Sequence, residues 1–118
     1  MAGSKMYYVY MLLCKDDSLY TGITPNLQQR MRQHTGQLKG GAKYTALRPP
    51  KEIAAVWTAP DRSIASKAEY AIKQLSAEQK RLLAAEPHRL NELLEREEPL
   101  DVSVYDHPTL QELLNNEL

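Results

Sequence analysis

Apolar and polar positions divide the chain into segments of different period. Tyr7 to Cys14, YYVYMLLC, is a run of aromatic, β-branched and aliphatic residues, separated from LYTGI by the polar cluster Asp16, Asp17 and Ser18. The pattern predicts a β-hairpin. A three-residue loop over Asp16 to Ser18 needs one residue near the left-handed region, which Asp17 tolerates better than most non-glycine residues. That loop sets Lys15 opposite Leu19, Cys14 opposite Tyr20, Leu12 opposite Gly22 and Tyr10 opposite Thr24. Tyr10 and Tyr20 then project from one side of the ribbon, with about 13 Å of strand between them. Thr24 followed by Pro25 marks a helix start, the threonine as cap and the proline at the first helical position, and the helix runs to about Thr35. Leu27 and Met31 supply its apolar stripe, while Arg30 and His34, four apart, lean inward beside it.

Gln37 to Pro50 contains Gly40, Gly41, Pro49 and Pro50, shows neither period and reads as a basic loop. Glu52 to Ala59, EIAAVWTA, is a third strand. Asp61 or Ser63 can cap a helix through Lys73, in which Ile64, Ala65, Ala68, Ile72 and Leu75 recur at core spacing and Glu69 falls within the stripe. Ser76 with Gln79 three residues later is a capping-box pattern, opening a short helix that Pro87 stops. The order ββαβαα predicts an α/β sandwich, a three-stranded antiparallel sheet flanked by helices. Beyond it, His88 to Glu97 carries Leu90, Leu93 and Leu94 on one face, Pro99 to Pro108 looks irregular, and Thr109 to Glu117 carries Leu110, Leu113 and Leu114. The expected organisation is an extension over 1–6, a domain over 7–86, and an acidic, leucine-containing helical extension over 87–118. The pattern leaves open whether that tail folds back or remains partly mobile.

At 118 residues, with 42% apolar and 25% charged side chains, the chain suits one globular domain rather than a disordered or fibrous protein. No stretch approaches the length of a bilayer span and Met1 to Met6 holds no apolar run, so a cytoplasmic protein without membrane contacts is expected. The single cysteine, Cys14, cannot form an internal disulfide and reads as a small buried hydrophobe; His34, His88 and His107 lack zinc-ligand spacing. The formal net charge of zero hides a division: residues 1–85 hold 13 Lys/Arg against 6 Asp/Glu, and residues 86–118 hold 2 against 9. Arg30, Arg32, Lys39, Lys43, Arg48 and Lys51 all fall in Pro25 to Lys51, which has no acid. That stretch is either a polyanion-binding surface or a solvated basic loop.

YVY, then YTG after nine residues, an Arg/His pair four apart on the next helix and a carboxylate on a later one together resemble the GIY-YIG nuclease family, in its small single-domain bacterial branch. Tyr8 to Tyr10 stand where the family has its first triplet, and Tyr20 to Thr24, YTGIT, contain the second. Arg30, His34, the AKYT of Ala42 to Thr45, and Glu69 follow in order, and the likeness covers roughly residues 6 to 84. Tyr8 replaces the first glycine and Thr21 the middle aliphatic. Ile23 stands where some members place a lysine, and an asparagine that some members use after the last helix has no secure match.

The resemblance implies metal-dependent hydrolysis of DNA, structure- or damage-directed as in repair or recombination, with RNA left open as a substrate. Attack on an anionic phosphodiester needs charge neutralisation and proton transfer. Glu69 could hold Mg²⁺, or Mn²⁺, with waters and substrate phosphate completing the shell. Arg30 would clamp a phosphate oxygen. A tyrosine base must drop from a pKa of about 10 to about 7, roughly 4 kcal/mol. Tyr20 or Tyr10 takes that role, the resemblance favouring Tyr20, and His34 orients or relays. Tyr44 can stack on a base or bond a phosphate. No small-molecule cofactor is implied. Two other readings stand beside this one: a nucleic-acid-binding module without turnover, and a protein-interaction domain acting through the leucines of 87–118. If the tail competes with phosphates for Pro25 to Lys51, removing residues 98 to 118 leaves or raises DNA affinity.

Overall fold

A computed structural model describes residues 5–115. The first four residues of the 1–6 extension, and the end of the helix expected over Thr109 to Glu117, lie outside the described residues. The hairpin forms from β1 (Tyr7–Cys14) and β2 (Leu19–Thr24). Its turn is a three-residue loop with Asp17 at φ 68°, but it spans Lys15 to Asp17, one residue earlier than expected. Asp17 N–H donates to Cys14 O at 2.9 Å, and Cys14 N–H donates to Ser18 O at 2.9 Å. The Asp16 carboxylate accepts from Ser18 N–H at 3.1 Å and also from the Ser18 hydroxyl, which favours this placement. Moving the loop by one residue moves the register by two: Leu12 pairs with Tyr20, Tyr10 with Gly22 and Tyr8 with Thr24. Side-chain faces are unchanged by an even shift.

Strand β3 (Pro50–Ala59) pairs antiparallel with β1, its register slipping at Met11/Leu12 and again at Leu13/Cys14. A fourth strand, β4 (Ser103–Val104), adds to β3, so the sheet order is β2-β1-β3-β4 rather than the three strands expected. Two residues are too short a run to show a period, so the sequence carried no signal for it.

Helix α1 (Leu27–His34) is capped by Asn26, whose side chain accepts from Gln29 N–H at 3.0 Å, and not by Thr24. Thr24 Oγ1 instead accepts from Asn26 N–H at 3.1 Å, holding the entry to the helix. Lys43–Leu47, expected as loop, forms a short helix, α2, with Thr45 as its buried residue. Asp61 caps α3 (Arg62–Lys73) through Ile64 N–H at 2.9 Å, and the Ser76/Gln79 capping box opens α4 (Ala77–Ala85). A 3₁₀ turn (Pro87–Arg89), α5 (Leu90–Leu94) and α6 (Leu110–Asn115) complete the chain.

Alternation in β1 splits the core in two. Val9 and Met11 face Ala55, Trp57, Ala59 and the apolar sides of α3, α4 and α5; Tyr10 and Leu12 face Leu27, Met31, Ile53, Val56 and α6. The tail belongs to both layers: Leu90 and Leu100 lie in the first, Leu110 and Leu113 in the second. Tyr105 N–H donates to Val56 O at 2.9 Å, and the Trp57 indole donates to Pro87 O at 2.9 Å. The tail therefore folds back, using its leucines internally, and among the described residues none of its acids pairs with a cation of Pro25 to Lys51.

Candidate active site

On the α1 side of the sheet, Tyr10 is fully buried, with its ring lying across Gly22 of the neighbouring strand. A β-carbon at Gly22 would sit 2.6 Å from Tyr10 Cζ and closer still to its oxygen, so the glycine of the second triplet leaves room for the tyrosine of the first. The phenol passes over that gap to reach His34 Nε2 at 2.7 Å. His34, itself buried, meets Thr45 Oγ1 through Nδ1 at 2.8 Å, and the Thr45 hydroxyl donates to Ala42 O at 3.1 Å.

These contacts fix the protons. Thr45 has spent its one hydrogen on Ala42, so it accepts from His34 Nδ1–H; bare Nε2 then accepts the Tyr10 hydroxyl proton. The Tyr10 oxygen in turn accepts Arg30 Nε–H at 3.4 Å, and Arg30 Nη1 is tied to Gln33 Oε1 at 2.9 Å and Gly40 O at 2.8 Å. Burial, with the Arg30 charge adding to it, lowers His34 to about 4. Burial likewise holds Tyr10 above the usual phenol range. Tyr10 and His34 are therefore both neutral near pH 7.

Tyr20 completes the arrangement. Its ring centroid lies 6.4 Å from that of Tyr10, 5.2 Å from His34 and 5.4 Å from Tyr44. The two phenols thus touch, where the expected register kept them about 13 Å apart at the backbone. Arg30 interacts with the Tyr20 hydroxyl as well as that of Tyr10. From the other face of the sheet, α3 reaches past the edge strand β2. Lys73 Nζ stands 5.9 Å from the Tyr20 ring centre and pairs with Glu69 Oε2 at 3.3 Å, and the Glu69 charge is felt at Tyr10. Glu69 lies at the edge of the apolar stripe, its side chain 25% exposed.

Among the basic-segment candidates, the fold brings Tyr44 and Arg48 against the phenols. The Arg48 guanidinium lies 4.6 Å over the Tyr44 ring and its Nε pairs with Asp16 at 3.2 Å, tying α2 to the hairpin turn. Lys39, Lys43 and Lys51 stay at exposed positions and Arg32 is half-buried on α1. Sequence reasoning passed over Lys73, whose signal was its place four residues after Glu69, and gave no role to Thr45, which sat inside the quoted AKYT. Among the described residues no three His, Cys, Asp or Glu side chains converge as a metal site. Glu69 is a lone carboxylate with one oxygen engaged by Lys73, a donor set that suits a largely hydrated hard cation and not a dehydrated structural one.

The GIY-YIG catalytic domain matches residues 6–82 of the chain. A UPF0213 protein of Xanthomonas axonopodis pv. citri is 39% identical over 106 residues, 88% of this chain and 97% of its own. The UPF0213 protein YhbQ of Escherichia coli K12 is 44% identical over 90 residues, 75% of this chain and 86% of its own. The solution NMR structure of a UPF0213 protein from Bacillus halodurans is 30% identical, covers 72% of this chain and 92% of that one, and superimposes with a TM-score of 0.45. With both triplets, the Arg30/His34 pair and Glu69 inside the matched span, the chain belongs to the GIY-YIG family, alongside the small bacterial UPF0213 proteins.

Proposed function

We propose that this chain is a metal-dependent DNA endonuclease, directed by structure or damage rather than by sequence, as in repair or recombination. The observation that carries the proposal is the gathering of Tyr10, Tyr20, Arg30 and His34 into one hydrogen-bonded and aromatic cluster with the Glu69/Lys73 pair beside it. Tyr10 donates a hydrogen bond to the neutral imidazole and stays a phenol, which leaves Tyr20, as a phenolate whose own proton has gone to solvent, to take the proton from an attacking water. Arg30, charged throughout the physiological range, would hold a non-bridging phosphate oxygen beside the phenols. Glu69 would hold Mg²⁺ or Mn²⁺; when bound, such an ion neutralises the phosphate and the developing alkoxide. Arg32, Lys39, Lys43, Arg48 and Lys51 supply phosphate contacts with no sequence preference.

Nicking of supercoiled plasmid by the pure protein tests this. It is expected to require Mg²⁺ or Mn²⁺ and to vanish in Glu69→Ala while DNA binding persists. Equal nicking by that variant would assign the activity to a contaminant. One observation favours a second reading, a binding module without turnover: Lys73 already neutralises the carboxylate that a cation would need. In that case binding persists and no metal restores nicking.

A further inference from the structure

The site has a neighbour that the basic segment does not account for. Between the hairpin turn, α2 and the first turns of α4 lies a notch of about 250 Å³, lined by Asp17, Ser18, Leu19, Tyr44, Lys80 and Arg81. Tyr44 is shared between the two places: its ring meets Tyr20 at 5.4 Å on the catalytic side, and it also lines the notch. Lys80 and Arg81 enter it from α4, whose start the Ser76/Gln79 capping box fixes, and neither is ion-paired among the described residues. Two cations face one carboxylate, Asp17, and the other walls are the Tyr44 ring, the aliphatic Leu19 and Ala77, and Ser18. On the far side Arg81 also borders a second cleft, where Asp17 and Glu52 outnumber it, so the positive character is confined to the end beside Tyr44.

Resting on the nuclease reading above, we propose that this notch takes the nucleotide next to the scissile phosphate on the cleaved DNA strand. Its base lies against Leu19 and Tyr44 and its phosphate meets Lys80 and Arg81. An unpaired nucleotide satisfies both requirements, because an exposed base face suits the aromatic and aliphatic wall whatever the sequence, and its backbone anion suits the two free cations. The notch therefore favours strands with unstacked bases at the cut, a class of substrate that the phenol cluster alone does not select.

The test is fluorescence anisotropy of a labelled single-stranded oligodeoxynucleotide with the full chain, in EDTA so that nothing is cut, over a range of salt. Lys80→Glu/Arg81→Glu is expected to weaken binding about tenfold or more and, with two phosphate contacts gone, to flatten the slope of log K against log salt by about 1.4. Lys80→Gln/Arg81→Gln, which removes charge without reversing it, flattens the slope equally. Lys67→Glu/Arg96→Glu makes the same charge change at exposed positions outside the notch and is expected to keep the wild-type slope. An unchanged slope in both notch variants, or an equal loss in the control, would overturn the notch while leaving the nuclease reading intact. Failure of the wild-type protein to bind DNA at all would overturn that reading and the notch with it.

Discussion

At His34, two hydrogen bonds and a buried environment settle which atoms carry protons. The Nδ1–H tautomer exists because Thr45 has no hydrogen left to give, and Tyr10 is a donor because Nε2 is then an acceptor. Thr45 is thus a positioning residue acting through the imidazole. Long-range ¹⁵N–¹H correlation spectra are expected to show the Nδ1–H form in the wild type and in Thr45→Ser, and a mixture of tautomers in Thr45→Val; a single unchanged tautomer in Thr45→Val would remove Thr45 from the relay. The same spectra followed against pH should show His34 protonating near 4 rather than near the unperturbed value of about 6.5. Between those values the unfolded chain binds the extra proton, so stability from this residue is complete above about pH 6.5 and is lost as pH falls toward 4. The triplets and the i, i+4 spacing pointed to Tyr10, Tyr20, Arg30 and His34. Thr45 was not legible in the same way, since a threonine in a glycine-flanked segment has no period and its partner lies 11 residues away.

Among the elements, the hairpin shows how a small local choice governs the site. Alternation correctly put Tyr10 and Tyr20 on one face, because face depends only on parity. Their proximity depended on which residue opened the turn, and there the Asp16 side chain competed for Ser18 and drew the loop one residue toward the N-terminus. The resulting Tyr10/Gly22 pairing predicts that Gly22→Ala forces the buried phenol off His34 and destabilises the fold by about 1–3 kcal/mol. Chemical denaturation checks this, and an unchanged midpoint would mean that the backbone yields instead of the ring. The longer helices were legible because their stripes and caps are local: of the two caps offered for α3 the fold uses Asp61, and the Ser76/Gln79 box stands as read, while α1 takes its cap from Asn26 and not Thr24. Helix α2 and strand β4, at five and two residues, fall below the length at which any period can be recognised.

For the molecule as a whole, the acidic segment after Pro87 is structural. Leu100, Leu110 and Leu113 are buried, and β4 extends the sheet. Removing residues 98–118 is therefore expected to destabilise the protein and not to release a competitor from the DNA-binding surface. Leu110→Ala alone should cost about 2–5 kcal/mol, measured as a shift in the urea midpoint. A truncated chain of wild-type stability would contradict the packing described here. The opposite charges of the two halves remain segregated even so, since the ion pairs of the tail among the described residues, Arg89 with Glu86 and Glu92, are its own. Among the described residues no helix is long and apolar enough to cross a membrane.

Alternation, helical spacing and capping chemistry are local properties of the chain, and by themselves they determined the order of β1, β2, α1, β3, α3 and α4 and the faces on which the phenols lie, while the likeness to the GIY-YIG family gathered Arg30, His34 and Glu69 into one ordered set. Tertiary structure decided what depends on distance through space. It brought Tyr20 within reach of Tyr10, assigned the imidazole protons through Thr45, laid Lys73 beside the Tyr20 ring and folded the tail into both layers of the core. Hydrogen bonds and ion pairs between residues remote in the chain leave no periodic trace in it, so only the packed fold could reveal them.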